Sequence, residues 1–202
     1  MDHVEMEKTW TDGDTEYRFR LIHDETPNSP REWDNLGTIV AWHSRYDLGD
    51  ESGGEDPSQW YRDWKTENPD GMIFPLFMYD HGGIALSVRS FMGRAHHAEW
   101  DSGQVGWVYV TRAKLVDEQM GDWDEAKVRE GIEAEIHTYS QYINGDVWGF
   151  TLESRPTAPC PSCERGHDWE VEDSCWGFFG SDIEKNGVLD HLDATTRAAL
   201  AA

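Results

Sequence analysis

"DWDEAKVREGIEAEIHTYSQYINGDVWGFTLE", residues 122–153, carries the two periodicities that decide the fold. Val128, Ile132, Ile136, Tyr139 and Ile143 recur at spacings of 4, 4, 3 and 4, which sets them on one stripe and predicts an amphipathic helix over about 123–143. Asp122 and Glu125 stand at N-cap and N3 positions, and the Asn-Gly pair at 144–145 supplies the stop. The other face bears Glu125, Lys127, Arg129, Glu130, Glu133 and Glu135, net acidic and suited to water. Straight after the stop, "VWGFTLE" (147–153) reads as a strand.

Outward from this segment, apolar runs of strand length recur. "EYRFRLIH" (16–23) alternates Tyr17, Phe19 and Leu21 against Arg18 and Arg20, the period of a half-buried strand. "GTIVAWH" (37–43), "MIFPLFMY" (72–79), "GIALSVR" (83–89), "VGWVYVT" (105–111) and "SCWGFFG" (174–180) add further strands, with "DHGG" a hairpin turn between the third and fourth of the six. "SQWYRDWKTEN" (58–68) is a short helix anchored by Trp60 and Trp64 and ended by Pro69 and Gly71. Strands surrounding one main helix indicate an α+β fold with a mostly antiparallel sheet. The expected layout is a loosely ordered acidic N-terminus at 1–14, one domain at 15–192 with a Cys-rich excursion at 155–173, and a C-terminal tail at 193–202. Trp33 and Trp100, each followed by Asp near a strand start, are expected to pack at the sheet ends while Asp34 and Asp101 bond turn amides. With Trp176 they are the first choice for binding aromatics, although packing is the expectation for all three.

Forty Asp and Glu against 17 Lys and Arg give a formal charge of -23, while 38% hydrophobic residues and 11 Trp belong to a folded chain. Such a charge repels nucleic acid and anionic membrane and attracts basic surfaces, so direct nucleic-acid or membrane binding is not expected. Solubility, salt adaptation and imitation of DNA phosphates all account for the acidity; only five of the 17 cations are Lys. No apolar run approaches the roughly 20 residues of a membrane span, and the N-terminus shows no basic-then-apolar leader, which points to the cytoplasm. "DLGDESGGEDPS" (47–58) has five acids, three Gly and no cation, the composition of a mobile surface loop.

All three cysteines fall in "CPSCERGHDWEVEDSC" (160–175), where Cys160, Cys163, His167 and Cys175 give the order C-x2-C-x3-H-x7-C. Cys-x2-Cys places two thiolates at adjacent corners of a tetrahedron, and Cys3His would complete a closed structural zinc site that clips a loop. Unpaired thiols and a disulfide are the other readings of the same residues. "HHAEWD" (96–101), with His81, His43 and Asp80 elsewhere, offers imidazole and carboxylate ligands for a metal-dependent hydrolase. Neighbouring histidines on an extended strand point apart, so both meet one ion only on a loop. No nucleophile elbow, phosphate-cradling loop or dinucleotide fingerprint is present in the sequence, so the reading leans away from an enzyme.

"PREWDNLGTIVAWHSRYDLGDE" (30–51), "WDSGQVGWVYVTR" (100–112), "EIHTYSQYINGDVWGFTLE" (135–153) and "DSCWGF" (173–178) resemble an uncharacterised family of accessory proteins encoded by tailed bacteriophages and prophages. The resemblance implies a gene product acting in the host cytoplasm and brings no catalytic residue with it. By analogy of genome context it implies binding to a host or phage macromolecule, including defence or nucleic-acid-handling proteins. A basic partner would meet Asp47, Asp50, Glu51, Glu55 and Asp56 of the loop and Glu125, Glu130 and Glu133 of the helix. Should loop and helix face meet in space, they form one anionic, DNA-like surface.

Overall fold

The structure, a computed structural model, describes residues 3–160 and 166–202. In chain order the strands are β1 (Val4–Asp12), β2 (Thr15–His23), β3 (Thr38–Ala41), β4 (Met72–Asp80), β5 (Ile84–Ser87), β6 (Ser102–Val110), β7 (Val147–Pro156) and β8 (Glu170–Phe179). The α-helices are α1 (Pro57–Glu67), α2 (Ala98–Asp101), α3 (Arg112–Asp117), α4 (Glu125–Ile143) and α5 (Ala194–Ala201), with 3-10 turns at Pro30–Glu32 and Val188–His191. The class is α+β, as expected. The strands divide between two antiparallel sheets of order β1-β2-β7-β8 and β3-β6-β4-β5. The chain correspondingly forms two compact units, Met1–Asn28 with Gly145–Ala202, and Ser29–Asn144. The second is a continuous insertion between β2 and β7, which pair directly from Thr15↔Pro156 to His23↔Trp148.

In the first unit, Phe19 and Leu21 of β2 share a face with Trp148 and Phe150 of β7 and Phe178 of β8, and the C-terminal residues Val188 and Leu192 close this core. The N-terminal segment, read as loose, is β1. Its Met6 and Trp10 pack on the core while Glu5 and Glu7 take the alternate positions, and Trp10 stacks on Tyr17 at 5.6 Å. The C-terminal tail is likewise structured as α5, capped by Asp193, which accepts from Thr196 N at 2.7 Å, and fastened to β1 where Lys8 Nζ donates to Leu200 O at 3.1 Å. The opposite sheet face is ionic. Glu153, 5% exposed, receives Arg18 Nε at 2.7 Å and Arg20 Nη2 at 3.0 Å, and Trp169 lies against the guanidinium groups of Arg18 and Arg155 at 4.4 and 4.2 Å.

In the second unit, β6 separates two packed layers because its side chains alternate. Val108 and Val110 join Ile39, Phe74 and Leu76 beneath Val128, Ile132, Ile136 and Tyr139 of α4, the stripe predicted from spacing. Trp107 and Tyr109 point the other way and meet Trp60, Tyr61 and Trp64 of α1. The cap of α4 is Asp124, accepting from Lys127 N at 3.0 Å, and not Asp122. The chain is still in a turn at Trp123, whose N–H donates to Met120 O at 3.0 Å while its indole packs on the core.

An ionic knot around the Arg31 side chain fixes the layers. Arg31, with a side chain 10% exposed, donates from Nε and Nη2 to Asp50 at 3.0 and 2.6 Å and from Nη2 to Gly37 O at 2.6 Å. Asp50 also accepts from Ile39 N at 2.7 Å, and Glu135 of α4 accepts from Leu36 N and Gly37 N at 2.6 and 3.0 Å. These contacts, with Leu48 only 3% exposed, anchor the acidic segment that its composition marked as mobile.

Candidate functional site: an acid-rimmed cleft on an aromatic layer

A concavity lies along α1. Asp56 begins the helix by accepting from Ser58 N and Gln59 N at 2.9 and 3.1 Å, and Pro57 at the first position is pre-shaped for it. From that cap, Gln59, Asp63 and Glu67 follow at helical spacing, so their side chains line one edge. The segment before the cap is pressed onto the aromatic layer. Gly53 lies so close to Trp42 that a Cβ there would come within 1.9 Å of the ring, and Trp42 Nε1 donates to Gly54 O at 2.8 Å. The result is a cleft of about 390 Å³ with carboxylates of Glu55, Asp56, Asp63 and Glu67 at its rim and the indoles of Trp60 and Trp64 in its wall. Among the described residues, no Lys or Arg lines it.

The wall is rigid because the rings interlock. Trp60 stacks on Trp107 at 5.9 Å and meets Trp42 edge-on at 5.7 Å, while Trp64, buried, packs on Tyr109 at 5.2 Å. Tyr109 donates its hydroxyl to Glu51 Oε2 at 2.9 Å. Burial, and then the Glu51 carboxylate, push its pKa up to about 12. A cleft lined by carboxylates and indoles together suits a cation with an apolar stem, which gains Coulomb attraction from the rim and apolar contact from the wall.

The acids proposed from sequence are dispersed. Glu55 and Asp56 belong to this cleft. Asp50 is engaged by Arg31, Glu51 holds Tyr109, and Asp47 is exposed on the loop before them. On α4, Glu125 pairs with Arg129 at 2.8 Å and Glu133 with Arg89 at 2.5 Å, while Glu130 is exposed. Since α1 and α4 lie on opposite faces of the sheet, the cleft and the outer face of α4 do not merge into one surface. Sequence reasoning missed Asp63 and Glu67 as site residues, although their spacing from Asp56 on a helix already recognised was the available signal.

Around His96–Asp101 the structure makes a pairing that the sequence hides. Asp101 Oδ2 sits 2.8 Å from Nδ1 of His81, in the turn between β4 and β5, instead of bonding a turn amide. His97 has a left-handed backbone, φ 54°, which breaks the extended alternation and brings the rings of His96 and His97 to 3.8 Å. Among the described residues no three His, Cys, Asp or Glu side chains are arranged as a ready metal cage. Of the proposed zinc ligands, Cys163 lies outside the described residues. Cys175 is directed at the core of the first unit opposite Phe150, half-buried, while Cys160 follows the end of β7 and His167 precedes β8.

The three candidate tryptophans are more exposed than packing at the sheet ends would leave them: Trp33 by 55%, Trp100 by 83% and Trp176 by 48%. Trp100 stands on the single turn of α2, which has no second turn to lay it on the sheet. Trp176 lies across Gly149, where a Cβ would meet its ring at 2.2 Å. Asp34 forms an ion pair with Lys114.

The chain matches no family model, no curated protein and no solved structure. No helix among the described residues is long and apolar enough to cross a membrane.

Proposed function

We propose that this is a phage-type accessory protein that works by binding a basic macromolecular partner, host or viral, and that the α1 cleft is where a Lys or Arg of that partner is received. The observation that carries the reading is the joining of four rim carboxylates to an indole wall in one concavity that no Lys or Arg of the described residues lines. Carboxylates at helical spacing along α1 also stand in for a short run of phosphates, so a nucleic-acid-binding or defence protein is the partner class that fits. The binding surface is narrower than the one drawn from composition, because Asp50, Glu125 and Glu133 have partners within the chain.

The test is a titration of the full chain with an arginine-rich peptide, followed by tryptophan fluorescence at several NaCl concentrations. Reversal of Glu55, Asp63 and Glu67 to Lys is expected to weaken binding tenfold or more. The same number of reversals at Glu125, Glu130 and Glu133, matched in net charge, is expected to change it little. Equal losses from the two triple variants would reduce the interaction to net charge and remove the cleft from it.

A further inference from the structure

Outside the cleft, metal-ligating groups gather at one end of the second sheet, where the β4–β5 turn meets the loop that leads into α2. We propose that His81 and His97 bind a divalent transition-metal ion of the imidazole-preferring kind, such as Zn²⁺ or Ni²⁺, with Asp101 holding His81 in the ligating orientation. The site is independent of the cleft.

The chemistry begins with Asp101. An ionised carboxylate only accepts hydrogen bonds, so His81 Nδ1, 2.8 Å from Asp101 Oδ2, carries the proton of the neutral ring. That fixes the tautomer with a lone pair on Nε2, the arrangement by which metal-binding histidines are oriented and made more basic. Tyr79 stacks on His81 with ring centres 5.8 Å apart, and its hydroxyl donates to His96 O at 2.9 Å, so one tyrosine braces the turn and the histidine loop together. The left-handed backbone of His97 sets its ring toward His81, with ring centres 6.2 Å apart.

With metal–nitrogen bonds of about 2.0–2.1 Å, a ligating ring centre lies about 3.2 Å from the ion, so two rings at tetrahedral angles stand roughly 5.2 Å apart. The observed gap is about 1 Å wider, which a side-chain rotation of the exposed His97 closes. Water fills the remaining positions. Imidazole and water ligands favour Zn²⁺, Ni²⁺ and Cu²⁺ over Mg²⁺ or Ca²⁺.

The experiment adds ZnCl2 to chelator-treated full-length protein. Histidine side-chain NMR reports the site, and calorimetry gives the affinity. Expected are an Nδ1–H tautomer at His81 before metal and shifts of the His81 and His97 ring signals that saturate at one equivalent. His81→Ala or His97→Ala should each lower the affinity of this site at least tenfold, and Asp101→Asn roughly tenfold. His81→Gln, which keeps a polar side chain in the turn, serves if the alanine variant does not fold. Zinc uptake that leaves these ring signals unmoved, or that is lost in Cys160→Ser and Cys175→Ser but unchanged in the histidine variants, would overturn the proposal.

Discussion

Tyr109 shows how much one side chain decides in this molecule. It stands on the face of β6 that the strand period turns away from α4, and its ring is held under Trp60 and Trp64 while its hydroxyl reaches Glu51. Burial and the nearby carboxylate both disfavour the phenolate, so its pKa rises from the ordinary 10.0 to about 12. The unfolded chain ionises first as pH rises, binding fewer protons than the folded one. Stability is therefore unaffected below about pH 10, falls between about 10 and 12, and flattens above. Tyr109→Phe removes this contribution. A urea midpoint that declines with pH in the natural chain and declines less in the variant is expected over that interval; parallel declines would show that the hydroxyl is solvated in the folded state.

At the scale of elements, α4 and β1 mark the two limits of reading from sequence. The stripe of α4 was legible because five large apolar residues repeat with the helical period and nothing competes with them. Ile136, 1% exposed at its centre, is therefore the position to test. Ile136→Asp places an unpaired charge between α4 and the sheet and should cost more than about 4 kcal/mol, seen as loss of the cooperative thermal transition. A transition within a few degrees of the natural one would mean that the helix does not rest on that stripe. In β1 the signal is as regular but weaker per residue. Lys8 occupies a core-side position in the run Val4, Met6, Lys8, Trp10, and the acids between obscure the alternation. Its amine escapes by reaching Leu200 O, a partner that no local pattern reveals. The site divides the same way: the rim of the cleft follows from helical spacing on α1, whereas His81–Asp101 and Arg31–Asp50 exist only through tertiary pairing.

For the whole molecule, charge is the property that remains to be placed. Residues 29–144 hold 21 Asp and Glu with ten Lys and Arg, and the remaining chain holds 19 with seven, so the acidity is shared almost evenly between the units. An even distribution works against a single binding face as the reason for the net charge of -23, and it makes self-repulsion a property of both units. The ion pairs at Glu153, 5% exposed, are short-range and largely out of solvent, where salt screens them little, while repulsion between exposed acids acts over the Debye length. That length falls from about 30 Å at 0.01 M to about 8 Å at 0.15 M. Raising NaCl across this interval should therefore stabilise the fold while weakening capture of a basic partner, so that Tm rises as affinity falls. Differential scanning calorimetry and peptide titration in the same buffers follow both quantities. A Tm that drops alongside the affinity would show that exposed ion pairs, such as Arg89–Glu133 and Arg45–Asp80, outweigh repulsion. The surface would then be balanced by its own cations, leaving little field to steer a partner toward α1.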